Sequence, residues 1–247
     1  LGSRGLGDVY KRQVKKKSTC LSVSPKEIRI SGTFQKQILA VGLAAAITNI
    51  MQSFGVVFLN QALLSYGNDK IAAMGIAMKV SLIVLMIITG LTFGGQPLFG
   101  FYYGAKNRER LRGTIRFAAG VTCGAALALS LLVFFLAPLL LGVFMPDPSF
   151  IETATPMLQL QVISMVLVGL VMLATVLFQS VGKALPAMLL SLARQGIVFV
   201  AVLLLLSYVF GYQGILASQA ASDVITAALA ALLFYRQFYP IIRRTRT

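Results

Sequence analysis

Histidine and tryptophan are absent from the 247 residues, cysteine occurs twice, and only seven acidic residues stand against 22 basic ones. Without histidine there is no His-based catalytic triad and no His metal site. The two cysteines, Cys20 in a basic leader and Cys123 inside an apolar run, build neither a disulfide framework nor a zinc site. The acids are too few and too scattered for the clustered carboxylates or nucleophile–base pair of a membrane-embedded transferase or hydrolase, so no catalytic, cofactor-binding or metal-binding residue is expected. Charge is scarce as well. Charged residues make up 12% of the chain, against about 25% in soluble domains, and 57% is hydrophobic, which marks an integral membrane protein. A net charge of +15 would suggest nucleic acid in a soluble protein. Here Lys and Arg are confined to particular loops rather than spread over a face, which argues against that partner and for the lipid bilayer.

What is there is apolar. Six runs, about 38–66, 71–103, 117–145, 157–181, 186–210 and 214–238, are each long enough to cross a bilayer core of ~30 Å at ~1.5 Å per residue. The expected fold is all-α and membrane-integral, a lobe of six transmembrane helices over 38–242 followed by a basic tail at 243–247. With tryptophan missing, the tyrosines other than Tyr10 fall at ends of these runs and can form the interfacial belt. The leader, the loop 105–116, the short loop at Lys183 and the tail 236–246 hold nearly all basic residues. The intervening loops hold only Lys70 against Asp69, Asp147 and Glu152. That alternation puts both ends in the cytoplasm. Pro138, Pro146, Pro148 and Pro156 cluster around the loop 146–155, where prolines end helices at little cost.

Residues 1–13 do not read like the rest. Asp8-Val9-Tyr10-Lys11-Arg12-Gln13 resembles the conceptual translation of a sequencing-library adaptor, and the leader is set aside as non-native. The chain is expected to start near Val14 in mid-protein and to be a fragment, with 14–37 a basic cytoplasmic linker.

Polar residues inside the spans are informative because lipid offers them no partner. At 100° per residue, Asn49, Gln52, Ser53 and Asn60 share an arc of about 100° on the first span. Gln161, Ser164, Thr175 and Gln179 share about 60° on the fourth, and Gln219, Ser222, Asp223 and Thr226 about 100° on the sixth. Either these residues hold neighbouring helices together, or the stripes line a shared cavity, with Asn49, Gln52, Asn60, Gln161 and Gln179 as its candidate substrate-contacting residues. Met51, Met165 and Met172 lie near them and suit a promiscuous surface. Three ionisable groups, Lys79, Arg194 and Asp223, sit within or close to spans. Lys79 and Asp223 lie at comparable depths; they form a structural pair, face water separately, or Asp223 titrates in a coupling pathway. Arg194, closer to the inner end, is expected to snorkel or cap loops there.

Between the second and third spans runs Gln96-Pro97-x-x-Gly100-x-x-Tyr103-Gly104-Ala105-Lys106-Asn107, followed by Arg108, Arg110 and Arg112. It reads as a hinge: Pro97 removes a backbone donor, Tyr102 and Tyr103 suit the headgroup layer, and the basic cluster marks the cytoplasmic side. Gly90/Gly94 and Gly120/Gly124 are expected at close helix contacts. This stretch resembles the loop after the eighth helix of the multidrug and toxic compound extrusion (MATE) family. Further similarities follow in order at Ser65-Tyr66-Gly67 with Ala72-Ala73-x-Gly75-Ile76, at Phe178-Gln179-x-x-Gly182-Lys183, at Ser191-Leu192-x-Arg194-Gln195, and at Phe210-Gly211-x-x-Gly214-Ile215 with Ser222-Asp223.

The resemblance covers residues 14–247 and implies helices seven to twelve of a twelve-helix transporter, one lobe of two around a central cavity. It further implies export of small organic cations or drugs across a bacterial inner membrane, driven by a proton or sodium gradient without a cofactor, with the missing amino-terminal lobe as partner. Departures limit the carry-over. The family's Gly-Leu-Pro is Gly42-Leu43-Ala44 here, and Gln52 stands where some members carry a glutamate. A neutral amide neither releases a proton nor supplies a counter-charge, so ion coupling does not transfer to Gln52. The span 157–181 contains no acid to match the family's second-lobe acidic residue. The alternatives are a lipid-linked precursor flippase of the same superfamily, which should turn several cations to its cavity, and a structural membrane subunit.

Overall fold

The computed structural model describes residues 32–238; the readings given above for 1–31 and for 239–247 lie outside the described residues. The chain divides into two units, Leu1–Leu43 and Ala44–Thr247. Of the first, the described part is the opening of a helix that starts at Gly32 rather than at 38; all that follows concerns the second.

The helices are α1 (Gly32–Leu64), α2 (Asn68–Gly94), α3 (Gln96–Gly104), α4 (Arg108–Phe144), α5 (Pro148–Ile163), α6 (Met165–Ser180), α7 (Ala184–Leu192) and α8 (Val198–Gln237), with a π-helical turn, Ala193–Ile197, between the last two. Several spans read as continuous in the sequence are thus broken rods. The second span breaks at Gly95 into α2 and α3, and the fourth bends by 42° at Ser164 between α5 and α6. The fifth passes through the π turn. A non-helical residue, Gly211 (φ 56°, ψ −130°), divides α8 where the fifth span gives way to the sixth. Among the described residues, three helical stretches, 68–104, 108–144 and 184–237, are long and apolar enough to cross a membrane, and the bent pair α5–α6 makes a fourth. With α8 divided at Gly211 and α1 added, the helices follow the six runs of the sequence. Pro148 opens α5, but Pro138 and Pro156 lie inside helices instead of ending them.

The loops are built from ordinary cap chemistry. Asn107 accepts the Arg110 N–H at 3.1 Å to start α4, and Asp147 accepts that of Ser149 at 3.0 Å to start α5. At the end of α3, Asn107 N–H reaches Tyr102 O (3.0 Å) and Lys106 N–H reaches Tyr103 O (3.1 Å), with Lys106 left-handed at φ 55°. Helix α6 ends in the same way, Lys183 N–H on Phe178 O (2.9 Å) and Gly182 N–H on Gln179 O (3.1 Å), with Gly182 at φ 76°. Both are Schellman endings, and both fall on motifs that carried the family resemblance.

Ring contacts fix which loops share an end. Phe238 meets Tyr103 (6.4 Å), Phe178 (5.3 Å) and Lys183 Nζ (5.4 Å), so the basic loops gather at one end of the lobe. At the other, Tyr212 meets Tyr66 (5.3 Å) and Lys70 Nζ (5.5 Å), and Lys70 donates to Thr153 Oγ1 at 3.3 Å. One buried cluster, from Leu63 and Ala73 to Phe150 and Val168, fills the second end. Another, from Phe99 and Leu111 to Val171, Phe178 and Phe238, fills the basic end.

The expected close contacts at Gly90, Gly94, Gly120 and Gly124 are not made: a Cβ at any of the four meets nothing within 4 Å. The buried face of α2 carries Ala73, Ala77, Val84 and Ile88, and that of α4 carries Thr122, Ala126, Val133 and Ala137. The four glycines lie off those faces. Tight approach falls elsewhere, where a Cβ at Gly55 would stand 2.9 Å from Gln195 O and one at Gly169 would stand 3.0 Å from Thr122 Cγ2.

Candidate functional site

Two of the breaks in the helices each bring one polar group to a common point, where a regular helix supplies the carboxylate. Ser164 stands at the bend between α5 and α6, Arg194 in the π turn, and Asp223 with Gln219 one turn apart on the second half of α8. Asp223 is 1% exposed. Its Oδ2 accepts from Ser164 Oγ at 2.6 Å, and its Oδ1 accepts from Arg194 Nε at 3.3 Å and Gln219 Nε2 at 3.4 Å. Ser222 Oγ in turn donates to the Arg194 carbonyl at 3.4 Å. A charge buried in a membrane protein needs this density of partners, because an unpaired one costs several kcal/mol. Continuous helices would not supply it. The π turn shifts Arg194 out of ordinary helical register, a distortion that recurs at functional sites.

The cluster borders a cavity of about 110 Å³ whose wall also includes Gln52, Met74, Met78, Ser81, Gln161 and Met165. The hydroxyl of Ser81 is buried there without a hydrogen-bond partner among the described residues. At this size the cavity holds a few water molecules or a small cation. It is well below the ~300–1,000 Å³ of a drug-sized site. Among the described residues no three of Cys, Asp and Glu come together, so Asp223 is a lone carboxylate supported by neutral and cationic donors.

Of the residues singled out in the sequence, Gln52 and Gln161 line this cavity, and Gln161 Nε2 lies 2.9 Å from Met74 Sδ. Asn49 and Asn60 are exposed on α1, and Gln179 is exposed near the far end of α6, so none of the three lines this cavity. A Lys79–Asp223 pair does not form. The face of α2 turned to the cavity carries Met74, Met78 and Ser81, spaced i, i+4, i+7; Lys79 lies off that face and is exposed. Its place is taken by Arg194, which is buried at 8% exposure rather than snorkelling or capping a loop. Nothing in the residue types of 186–210 marks Ala193–Ile197 as a π turn, so the sequence does not show that Arg194 turns inward to Asp223.

A family profile described as MatE matches residues 44–205. The multidrug export protein MepA of Staphylococcus aureus (strain bovine RF122 / ET3-1) is 28% identical over 169 residues, which are 68% of this chain and 37% of that protein. MepA of Staphylococcus saprophyticus is 28% identical over 168 residues, again 68% of this chain and 37% of the relative. A crystal structure of MATE in the straight conformation superposes with a TM-score of 0.84 at 19% identity, covering 96% of this chain and 54% of that one. An outward-facing multidrug resistance MATE family transporter of the MOP superfamily gives a TM-score of 0.84 at 20% identity, covering 96% and 53%. The chain therefore spans about half the length of the transporters whose fold it shares, and a little over a third of MepA. The profile match over 44–205 takes in more than half of the chain and the helices are long and apolar enough to cross a membrane: the chain is an integral membrane protein of the MatE family.

Proposed function

We propose that this chain is the carboxy-terminal lobe of a secondary active efflux transporter that exports small organic cations, including drugs, in exchange for protons or sodium ions. Its amino-terminal lobe is the partner, the bacterial inner membrane the site, and the basic loops face the cytoplasm. The observation that carries this reading is the buried Asp223–Arg194 pair beside a small, partly polar cavity, assembled on broken helices. Intramembrane charges on discontinuous helices are where secondary transporters put their ion and substrate sites. The named export activity of MepA and the positive-inside pattern of the loops support the same reading.

The cavity of about 110 Å³ suits ion or water chemistry and leaves the drug to a larger space between lobes, on the side where Asn49 and Asn60 are exposed. Asp223 would then act as the coupling group. As a carboxylate it draws together three elements, the bend at Ser164, the π turn at Arg194 and its own helix. Neutralised by a proton or countered by a cation, it holds Arg194 and Ser164 less strongly, and the two breaks are free to change angle. That is a two-state element biased by ion binding. A flippase for an anionic precursor would need free cations at the cavity, whereas Arg194 is already paired.

The test is efflux of a fluorescent organic cation from cells that make this chain alone, an amino-terminal MatE lobe alone, or both. Export only with both lobes supports the reading. Full export from this chain by itself would replace it with a homodimeric six-helix transporter.

A further inference from the structure

A second cavity, larger than the one at Asp223, opens between α4, α6 and α8 at the basic end of the lobe. Its volume is about 480 Å³ and its wall is apolar: Ile115 and Ala119 from α4, Leu170 and Ala174 from α6, Ala230 and Phe234 from α8. The alanines leave the space and Phe234 closes one side. Its charged lining residues are Arg112 and Arg116. They are one turn apart on α4, both exposed, and neither is ion-paired among the described residues. Beyond them α4 presents an unbroken apolar surface, with Phe117 and Phe135 each 74% exposed and Val143 78% exposed. The groove is reached from outside at Arg112, Arg116 and Leu170, which are exposed, whereas Phe117 and Phe135 lie roughly 140° around the helix from Arg112, on a separate apolar face.

We infer that this groove is a binding site for an anionic phospholipid, with an acyl chain lying against Ala119, Ala174 and Ala230 and the phosphate held by Arg112 and Arg116. The volume falls within the ~300–1,000 Å³ of small-molecule sites, and the lining has the two halves of a phospholipid, a long apolar slot and a cationic mouth. Basic pockets between membrane helices at the basic end select anionic headgroups for the same reason. An organic cation would be repelled by the two guanidinium groups, so this is not a drug site. The neighbouring acid, Glu109, does not line the groove and leaves its mouth cationic. The inference does not depend on what the transporter carries, since it rests on α4, α6 and α8 alone.

The absence of tryptophan makes a clean test possible. Phe234→Trp gives a single reporter in the groove, and Phe135→Trp a control on the lipid face away from it. The full chain is placed in nanodiscs of phosphatidylcholine containing brominated phosphatidylglycerol or brominated phosphatidylcholine, and quenching is followed against the brominated fraction. The Phe234→Trp reporter should reach half-quenching at a brominated phosphatidylglycerol fraction on the order of tenfold lower than for brominated phosphatidylcholine, while the Phe135→Trp control responds equally to both. Adding Arg112→Gln and Arg116→Gln should abolish the preference, and adding Ala230→Leu should weaken quenching by both lipids. Should Phe234→Trp not fold, Leu170→Trp at the lip of the groove reports the same preference. Equal quenching by the two lipids at the groove reporter, or a preference that survives loss of both arginines, would overturn the inference.

Discussion

Ser164 Oγ donates a 2.6 Å hydrogen bond to Asp223 Oδ2, tying the bend between α5 and α6 to the last helix. The bond is short and charge-assisted, a kind that contributes roughly 1.5–3 kcal/mol. Ser164→Ala should therefore lower the thermal stability of the purified chain by about that amount, and Ser164→Thr, which keeps a hydroxyl, by less. Equal losses from the two would mean that packing at the bend, not the bond, is what matters.

Arg194 and Asp223 form the one salt bridge among the described residues. Removing either partner leaves a buried charge without its counterpart, which typically costs about 3–5 kcal/mol. Asp223→Asn and Arg194→Gln should each lower the melting temperature sharply, and the double variant should recover much of the loss. Lys79→Gln, on the exposed face of α2, should show no such coupling to Asp223→Asn in a double-mutant cycle.

Close helix approach is expected to be sensitive only where a side chain meets a neighbour. Gly169→Leu should reduce folded yield, since a Cβ there stands 3.0 Å from Thr122 Cγ2, whereas Gly94→Leu should be tolerated in this chain. Yield by fluorescence-detected gel filtration separates the two outcomes, and a larger loss from Gly94→Leu would show that α2 buries its other face.

The two Schellman endings give a matched comparison. Lys106 holds a left-handed conformation at φ 55° that costs a residue with a Cβ about 1 kcal/mol or more, while Gly182 holds the equivalent place at φ 76° freely. Lys106→Gly should raise stability by several tenths of a kcal/mol to about 1, and Gly182→Ala should lower it by a similar amount. Thermal melts in detergent give both signs.

Much of this fold was legible from periodicity and charge. Loops with Asp69, Asp147 and Glu152 and those rich in Arg and Lys do gather at opposite ends, because each apolar run carries the chain across once. Asp223 was legible as an intramembrane acid needing a partner. Its partner was not, since Lys79 and Asp223 match in depth but not in azimuth, and azimuth across separate helices depends on breaks that composition does not reveal. The same reason moved the close contacts from Gly94 and Gly120 to Gly55 and Gly169. Which of two small residues meets a neighbour is decided by the rotation of whole helices.

The most direct test of the coupling role given to Asp223 is gradient-driven efflux of a fluorescent organic cation by both lobes together, with wild-type and Asp223→Asn chains brought to equal levels in the membrane. Asp223→Asn should still bind the cation but lose export driven by an imposed proton or sodium gradient, by on the order of tenfold or more. Export by Asp223→Asn at the wild-type rate, with unchanged dependence on the gradient, would contradict it and leave the Asp223–Arg194 pair a structural tie.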